Sequence, residues 1–210
     1  MKKLWIIFTL SMTLLYGTHV EASDKVDQHA TTWNACVNNI YALHQQLIVD
    51  KDVRVEKRRG GYATVKDWYY LEEKYFDKKT GKLISQLQWD GLVENKLHTI
   101  EVYVRDDDGR VIRDYVAAYL PDDHNAPTQT LITLHRYNGN LHAFRSFDAS
   151  GYRVVERCEG NYKGTPVNFI LDEDEIAELQ YEKDSVMQSA EYAACFGDLQ
   201  TEAGIYLIPQ

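Results

Sequence analysis

The sequence predicts an α+β fold: a multi-strand antiparallel β-meander, curved or partly closed into a barrel, packed against an N-terminal and a C-terminal helix. Three observations carry this. From about residue 53 to 171, apolar and polar residues alternate with period two in runs separated by turn residues. Upstream, one apolar stripe repeats at helical spacing. Downstream, a cluster of carboxylates opens a second helical run, where the positive end of a helix dipole favours negative charge.

The chain opens with Met1-Lys2-Lys3, an uncharged apolar run from Leu4 to Tyr16, and Val20 and Ala22 set as a small-residue cleavage signal before Ser23. That three-part layout is a secretory signal peptide over residues 1–22, and the apolar run is short of the roughly 20 residues that span a bilayer. Residues 23–210 then form a single domain of a size that buries a real core. The expected setting is the periplasm or the exterior of a bacterial cell.

The N-terminal helix is expected at about 30–49. Trp33, Cys36, Ile40, Leu43 and Leu47 step by three and four, and Thr31 or Thr32 can cap its start. Lys51 to Gly61 follows as a basic stretch, read as a solvated strand or loop entering a turn rather than a contact for an acidic partner. The strands come next. Leu83, Ser85, Leu87 and Trp89 share one face, Ile100, Val102 and Val104 another, and Ile112, Val116 and Leu120 a third, which lies with Asp114 and Ala118. One mostly apolar face and one mostly polar face is the pattern of an antiparallel sheet covered on one side. FDKKTGKL, RDDDGRV and FDASGYRV each place Asp before Gly, and Asn138-Gly139 adds a fourth turn. The proline-containing PDDHNAPT, 121–128, reads as a longer connection over one end of the sheet. The C-terminal helix is expected at about 173–196, with Asp172 as N-cap, a stripe of Ile176, Leu179, Val186, Ala190 and Ala193, and Gly197 at its end. GIYLIPQ reads as an edge strand or an extended tail.

A formal charge of −9 argues against nucleic acid or an anionic membrane surface as the main partner. Fifteen tyrosines and four tryptophans argue for a folded protein with recognition surfaces. Export brings an oxidising compartment, so the three cysteines allow one bridge. Cys158–Cys195 is favoured, because Cys36 lies on the first helix's buried stripe. Cys36–Cys195 and no bridge at all stay open, since spacing does not decide connectivity.

Two constellations carry candidate chemistry. In LHRYNGNLHAF, a two-residue Asn138-Gly139 turn sets His135 opposite His142, a pair that can hold a metal ion with further ligands such as His98, His124 or Asp148. Arg145, Asp148 and Arg153 surround a turn and can contact an anion or a partner. RDDDGR lacks the alternating ligands and distant Glu of a calcium loop and reads as a hairpin turn. No nucleophile elbow, zinc-protease helix, C-x-x-C pair or dinucleotide fingerprint is present. The function expected from these features is non-enzymatic binding of an envelope protein through a Tyr/Trp-rich sheet. The alternatives are a carrier of a lipid or lipophilic ligand in a curved sheet, and a metal-dependent hydrolase.

Overall fold

A computed structural model describes residues 23–61, 69–119 and 127–210, with side chains withheld at 23–34, 119 and 127–129. Residues 1–22, read above as a signal peptide, most of PDDHNAPT including His124, and the side chain of Trp33 lie outside the described residues. Helix α1 (Ser23–Val49) leads into nine strands: β1 (Val53–Gly60), β2 (Tyr70–Asp77), β3 (Leu83–Asp90), β4 (Leu97–Arg105), β5 (Val111–Tyr119), β6 (Pro127–Asn138), β7 (Leu141–Asp148), β8 (Arg153–Tyr162) and β9 (Thr165–Asp172). Helices α2 (Glu173–Leu179) and α3 (Ala190–Phe196) follow, with 3-10 turns at Val186–Gln188 and Gly204–Leu207.

Each strand pairs antiparallel with the next, so the sheet is an open meander with β1 and β9 at its edges, not the partly closed barrel that the sequence allowed. The Asp residues set the hairpins. The carboxylate of Asp77 accepts the amides of Lys79 and Thr80, that of Asp106 the amide of Arg110, and that of Asp148 the amides of Ser150 and Tyr152. Each thereby satisfies turn donors that the ladder leaves unpaired. RDDDGR is such a turn.

The pleat gives the sheet an inner face, which the helices cover, and an outer face on which no described helix lies. Cys36, Val37, Ile40 and Leu43 of α1 pack on Leu87, Ile100, Val102, Tyr115, Ile132, Leu134 and Phe147. Ile176 of α2 and Tyr192, Cys195 and Phe196 of α3 pack on Leu141, Ala143, Cys158, Val167 and Leu171. Leu199 touches both clusters. Each fully buried side chain of this size contributes about 1.5–3 kcal/mol, so these two clusters are where the fold gets its stability.

Of the expected α1 stripe, Cys36, Ile40 and Leu43 are buried and Leu47 partly so, and the helix begins at Ser23, ahead of the Thr31 or Thr32 cap. Val37 and His44 join the buried side. His44 is 3% exposed; its Nδ1 lies 2.7 Å from Ser85 Oγ, and its ring meets Tyr75 edge-on at 4.6 Å. Burial pushes the imidazole down to about 4, against the opposing pull of the Glu73 charge.

Three expectations are corrected. The single C-terminal helix breaks after Leu179, and Asp184 takes a left-handed φ of 70° before Ser189 recaps α3 by accepting the Tyr192 amide. The residues α3 buries are Tyr192, Cys195 and Phe196, while Ala190 and Ala193 of the expected stripe are exposed. Reorienting the last turns places those bulkier side chains on the sheet, which a straight rod along the alanine stripe would not do. In β5 the buried residues are Tyr115 and Ala117, whereas Ile112 and Val116 turn to the outer face with Asp114. Apolar residues on both faces of this strand hid its orientation. Finally, GIYLIPQ is neither an edge strand nor a loose tail: it makes a 3-10 turn, Tyr206 lies under Arg113 at 4.4 Å, and the Gln210 carbonyl accepts from Arg113 at 2.7 Å.

The basic stretch is β1, a largely exposed edge strand. Lys57 pairs with Glu73 across the ladder at 2.6 Å, and Arg54 with Glu56. Charged side chains on an exposed edge discourage pairing with another chain, which accounts for the patch as a solvated strand.

Candidate functional site

The β6–β7 hairpin decides how the two histidines meet. The register pairs Asn138 with Leu141, Tyr137 with His142, and His135 with Phe144. The loop is therefore Gly139-Asn140, one residue later than the expected Asn138-Gly139. Gly139 takes φ 57° at the first central position and Asn140 keeps a negative φ, the pattern of a type II′ turn. Asn138 is held in the strand because its side-chain amide donates to the Ala194 carbonyl near the end of α3. Gly160, across from Leu141, lets β8 approach: a Cβ there would lie 2.0 Å from the Asn140 carbonyl oxygen.

His135 and His142 are consequently diagonal neighbours on the outer face, and their rings still meet. His135 Nδ1 lies 3.0 Å from His142 Nε2, and His135 Nε2 lies 2.5 Å from Asp114 Oδ2 on β5. The ring planes differ by 10° with centroids 5.2 Å apart. The nitrogens are far closer than the centroids, so the rings meet edge to edge in nearly one plane. His142 also lies flat against Tyr137, at 4.6 Å and 4°, and Arg110 sits over the other part of that stack, 5.3 Å from the Tyr137 ring. Burial lowers the His142 imidazole below its ordinary value, with the His135 charge adding to the effect and Glu159 opposing it.

The chemistry of this arrangement is that of a hydrogen-bonded chain. Asp114 only accepts, so His135 Nε2 carries a proton, and one further proton lies between the two rings. An ion on the line joining the two nitrogens would hold them roughly 4 Å apart, twice a zinc–nitrogen bond of about 2.0–2.1 Å. Chelation would thus need the rings to turn, with Asp114 behind His135 in the place of an outer carboxylate. Among the described residues no group of three or more His, Cys, Asp or Glu is placed to hold a metal ion. His98 lies elsewhere, 6.2 Å from Tyr69, and Asp148 serves its own turn.

On the inner face a second cluster brings Arg145 and Arg153 together and leaves Asp148 on the other side of the sheet. Both arginines converge on Glu156, which is 0% exposed: Arg145 Nε donates at 2.6 Å and Arg153 Nη1 at 3.0 Å, and the Tyr192 hydroxyl donates to the other carboxylate oxygen. Arg145 also donates to the carbonyls of Leu199 and Gln200. Burial, together with the bond to Glu156, pushes the Tyr192 phenol up to about 12. A buried carboxylate between two guanidiniums is compensated, and it fastens the C-terminal segment to the sheet. Arg145, Arg153 and Tyr192 floor a cleft of about 780 Å³ walled by Tyr152, Ile176, Ala177 and Met187. Of the two arginines, Arg153 keeps the looser second contact, to Gln180 at 3.5 Å.

The disulfide joins Cys158 of β8 to Cys195 of α3, with 6.0 Å between Cα atoms, and Cys36 is free and buried. Asp114, Tyr137, Glu156 and Tyr192 were not singled out by sequence pattern. Each acts through a partner 5 to 36 positions away in the chain. The one legible hint was Asp114 sharing a strand face with apolar neighbours. No family model, curated protein or solved structure matches the chain.

Proposed function

We propose that the protein is an exported, non-enzymatic binding protein of the cell envelope that meets another envelope protein through the outer face of its sheet, on which no described helix lies. The observation that carries this is the division of labour between the two faces. The inner face is filled by the chain's own helices, whereas the outer face presents His135, Tyr137, His142 and Phe144 as one aromatic pad. Rings with a polar handle bring large contact area at low entropic cost, which suits recognition. The signal-like N-terminus and the disulfide support export.

Carriage of a lipophilic ligand is the second reading, and the cleft beside Ile176 and Met187 favours it. Site-specific photocrosslinking in the producing cell separates the two. A crosslinker at Arg157 or Glu159, both exposed on the outer face, is expected to trap one discrete protein, and one at exposed Gln188 on the helix side to trap none. Equal adducts from both sides, or a lipid adduct confined to Met187, would count against the proposal.

A further inference from the structure

The outer-face chain holds a fixed number of protons in its closed form. His135 Nε2 must donate to Asp114 Oδ2, and the 3.0 Å gap to His142 Nε2 accommodates a single hydrogen. With both rings neutral, His142 Nε2–H donates to His135 Nδ1. One added proton enters at His142 Nδ1, which makes no hydrogen bond to a described residue and is not among the buried unpartnered atoms. The bridging hydrogen then passes to His135 Nδ1, so the positive charge rests beside Asp114, where it is best compensated. A second added proton puts hydrogens on both facing nitrogens, and at 3.0 Å they cannot coexist.

We propose that Asp114, His135 and His142 form a pH-sensing proton chain on the outer face, which stays closed with one added proton and parts on taking up a second. Among the described residues, the charged and titratable neighbours come from four strands and one turn. Asp114 comes from β5. Arg105 at the end of β4, with Asp106 and Arg110 of the β4–β5 turn, acts on Tyr137 of β6, which stacks on His142. Tyr103 of β4 faces Asp114 and donates to Glu101. Phe144 of β7 lies against both rings, and Arg157 and Glu159 of β8 pair with each other at 3.1 Å opposite Phe144 and His142. Arg105, Arg110 and Arg157 with one added proton balance Glu101, Asp106, Asp114 and Glu159, so the closed pad is near neutral, and the doubly protonated pad is cationic and free to open. The inference concerns the proton site itself and stands whether or not this face is the binding surface proposed above.

The test is imidazole nitrogen NMR of the full chain from pH 8 to pH 5, with His98 as an internal reference. The expected result is that both rings carry hydrogen on Nε2 at pH 8 and that their signals move together through the first proton uptake. A separate, lower step should follow, in which the hydrogen-bond signature is lost. In His135→Gln, His142 should titrate alone in one step, about one pH unit above the lower step of the unaltered protein, because the neighbouring charge is gone. In Asp114→Asn, the pair's first uptake should move to lower pH by about the same amount. Independent titration of the two rings, or a His142 midpoint in His135→Gln no higher than the lower step of the unaltered protein, would overturn the proposal. So would one zinc ion per chain that shifts both rings, which would make the pair a metal site instead.

Discussion

His44 gives the sharpest prediction about the fold. It is a titratable ring inside the α1–sheet core, 3% exposed, with Ser85 Oγ as its hydrogen-bond partner. Unfolded, its imidazole binds a proton near pH 6.5; folded, burial holds it down to about 4. Between those values the unfolded chain binds more protons, so stability is complete above pH 6.5 and falls as pH drops towards 4. At about 1.36 kcal/mol per pH unit, the whole window is worth at most about 3 kcal/mol. His142, whose value is also lowered, adds a loss of the same sign from the outer face. His44→Gln keeps a side chain able to reach Ser85 but does not titrate. Urea unfolding of both proteins from pH 7.5 to 4.5 is the assay, a range chosen because exposed carboxylates titrate mainly below it. The substitution should cost about 1 kcal/mol at pH 7.5, through lost packing on Tyr41 and Tyr75. It should also make the fall towards pH 4.5 shallower by about 2 kcal/mol. Parallel curves for the two proteins would refute the reasoning, because they would mean that the folded ring protonates as readily as the unfolded one.

Other substitutions probe other parts of the account. Glu156→Ala strands the 4% exposed Arg145 guanidinium and should cost about 3–5 kcal/mol by denaturant unfolding; a cost below 1 kcal/mol would mean the cluster is wet. Reducing Cys158–Cys195, 37 positions apart, should lower stability by about 4 kcal/mol on the chain-entropy account, read as an earlier guanidinium midpoint. In the native protein Cys36 should resist thiol reagents until the chain unfolds, since burial both shields its thiol and raises its pKa. Gly160→Ala should destabilise far more than Gly139→Ala. The first drives a Cβ into the Asn140 carbonyl, while the second meets open space and costs only backbone strain of about 1–3 kcal/mol. Similar costs for the two would mean that β8 does not approach the turn as described.

Much of the architecture was legible because it is written in local patterns. The α1 stripe, the alternation in β3 and β4, the Asp-led turns and the α2 capping box at Asp172 each depend on residues close in sequence. What escaped depends on choices made between distant segments. The β6–β7 register turns on Asn138 binding the Ala194 carbonyl, which no turn propensity encodes. The orientation of β5 turns on which of two apolar sets fills the core, and the larger ring of Tyr115 does so. The break after α2 follows from Tyr192, Cys195 and Phe196 having to reach the sheet together. At the candidate site, the histidine contact was legible although the register that makes it was not. Asp114 joins it from a strand whose facing the sequence left undecided. The preferred disulfide was legible by a simpler route: Cys36 sits on a buried helical stripe, and that left Cys158 for Cys195.

The central claim is that the sheet's apolar face is used up by the chain's own helices, leaving the outer face to work. Native mass spectrometry of the protein from its producing cell, purified without stripping lipid, tests it most directly. The account predicts the mass of the processed chain carrying one disulfide and no lipid. A stoichiometric lipid adduct that disappears when Ile176 and Met187 are made polar would contradict it.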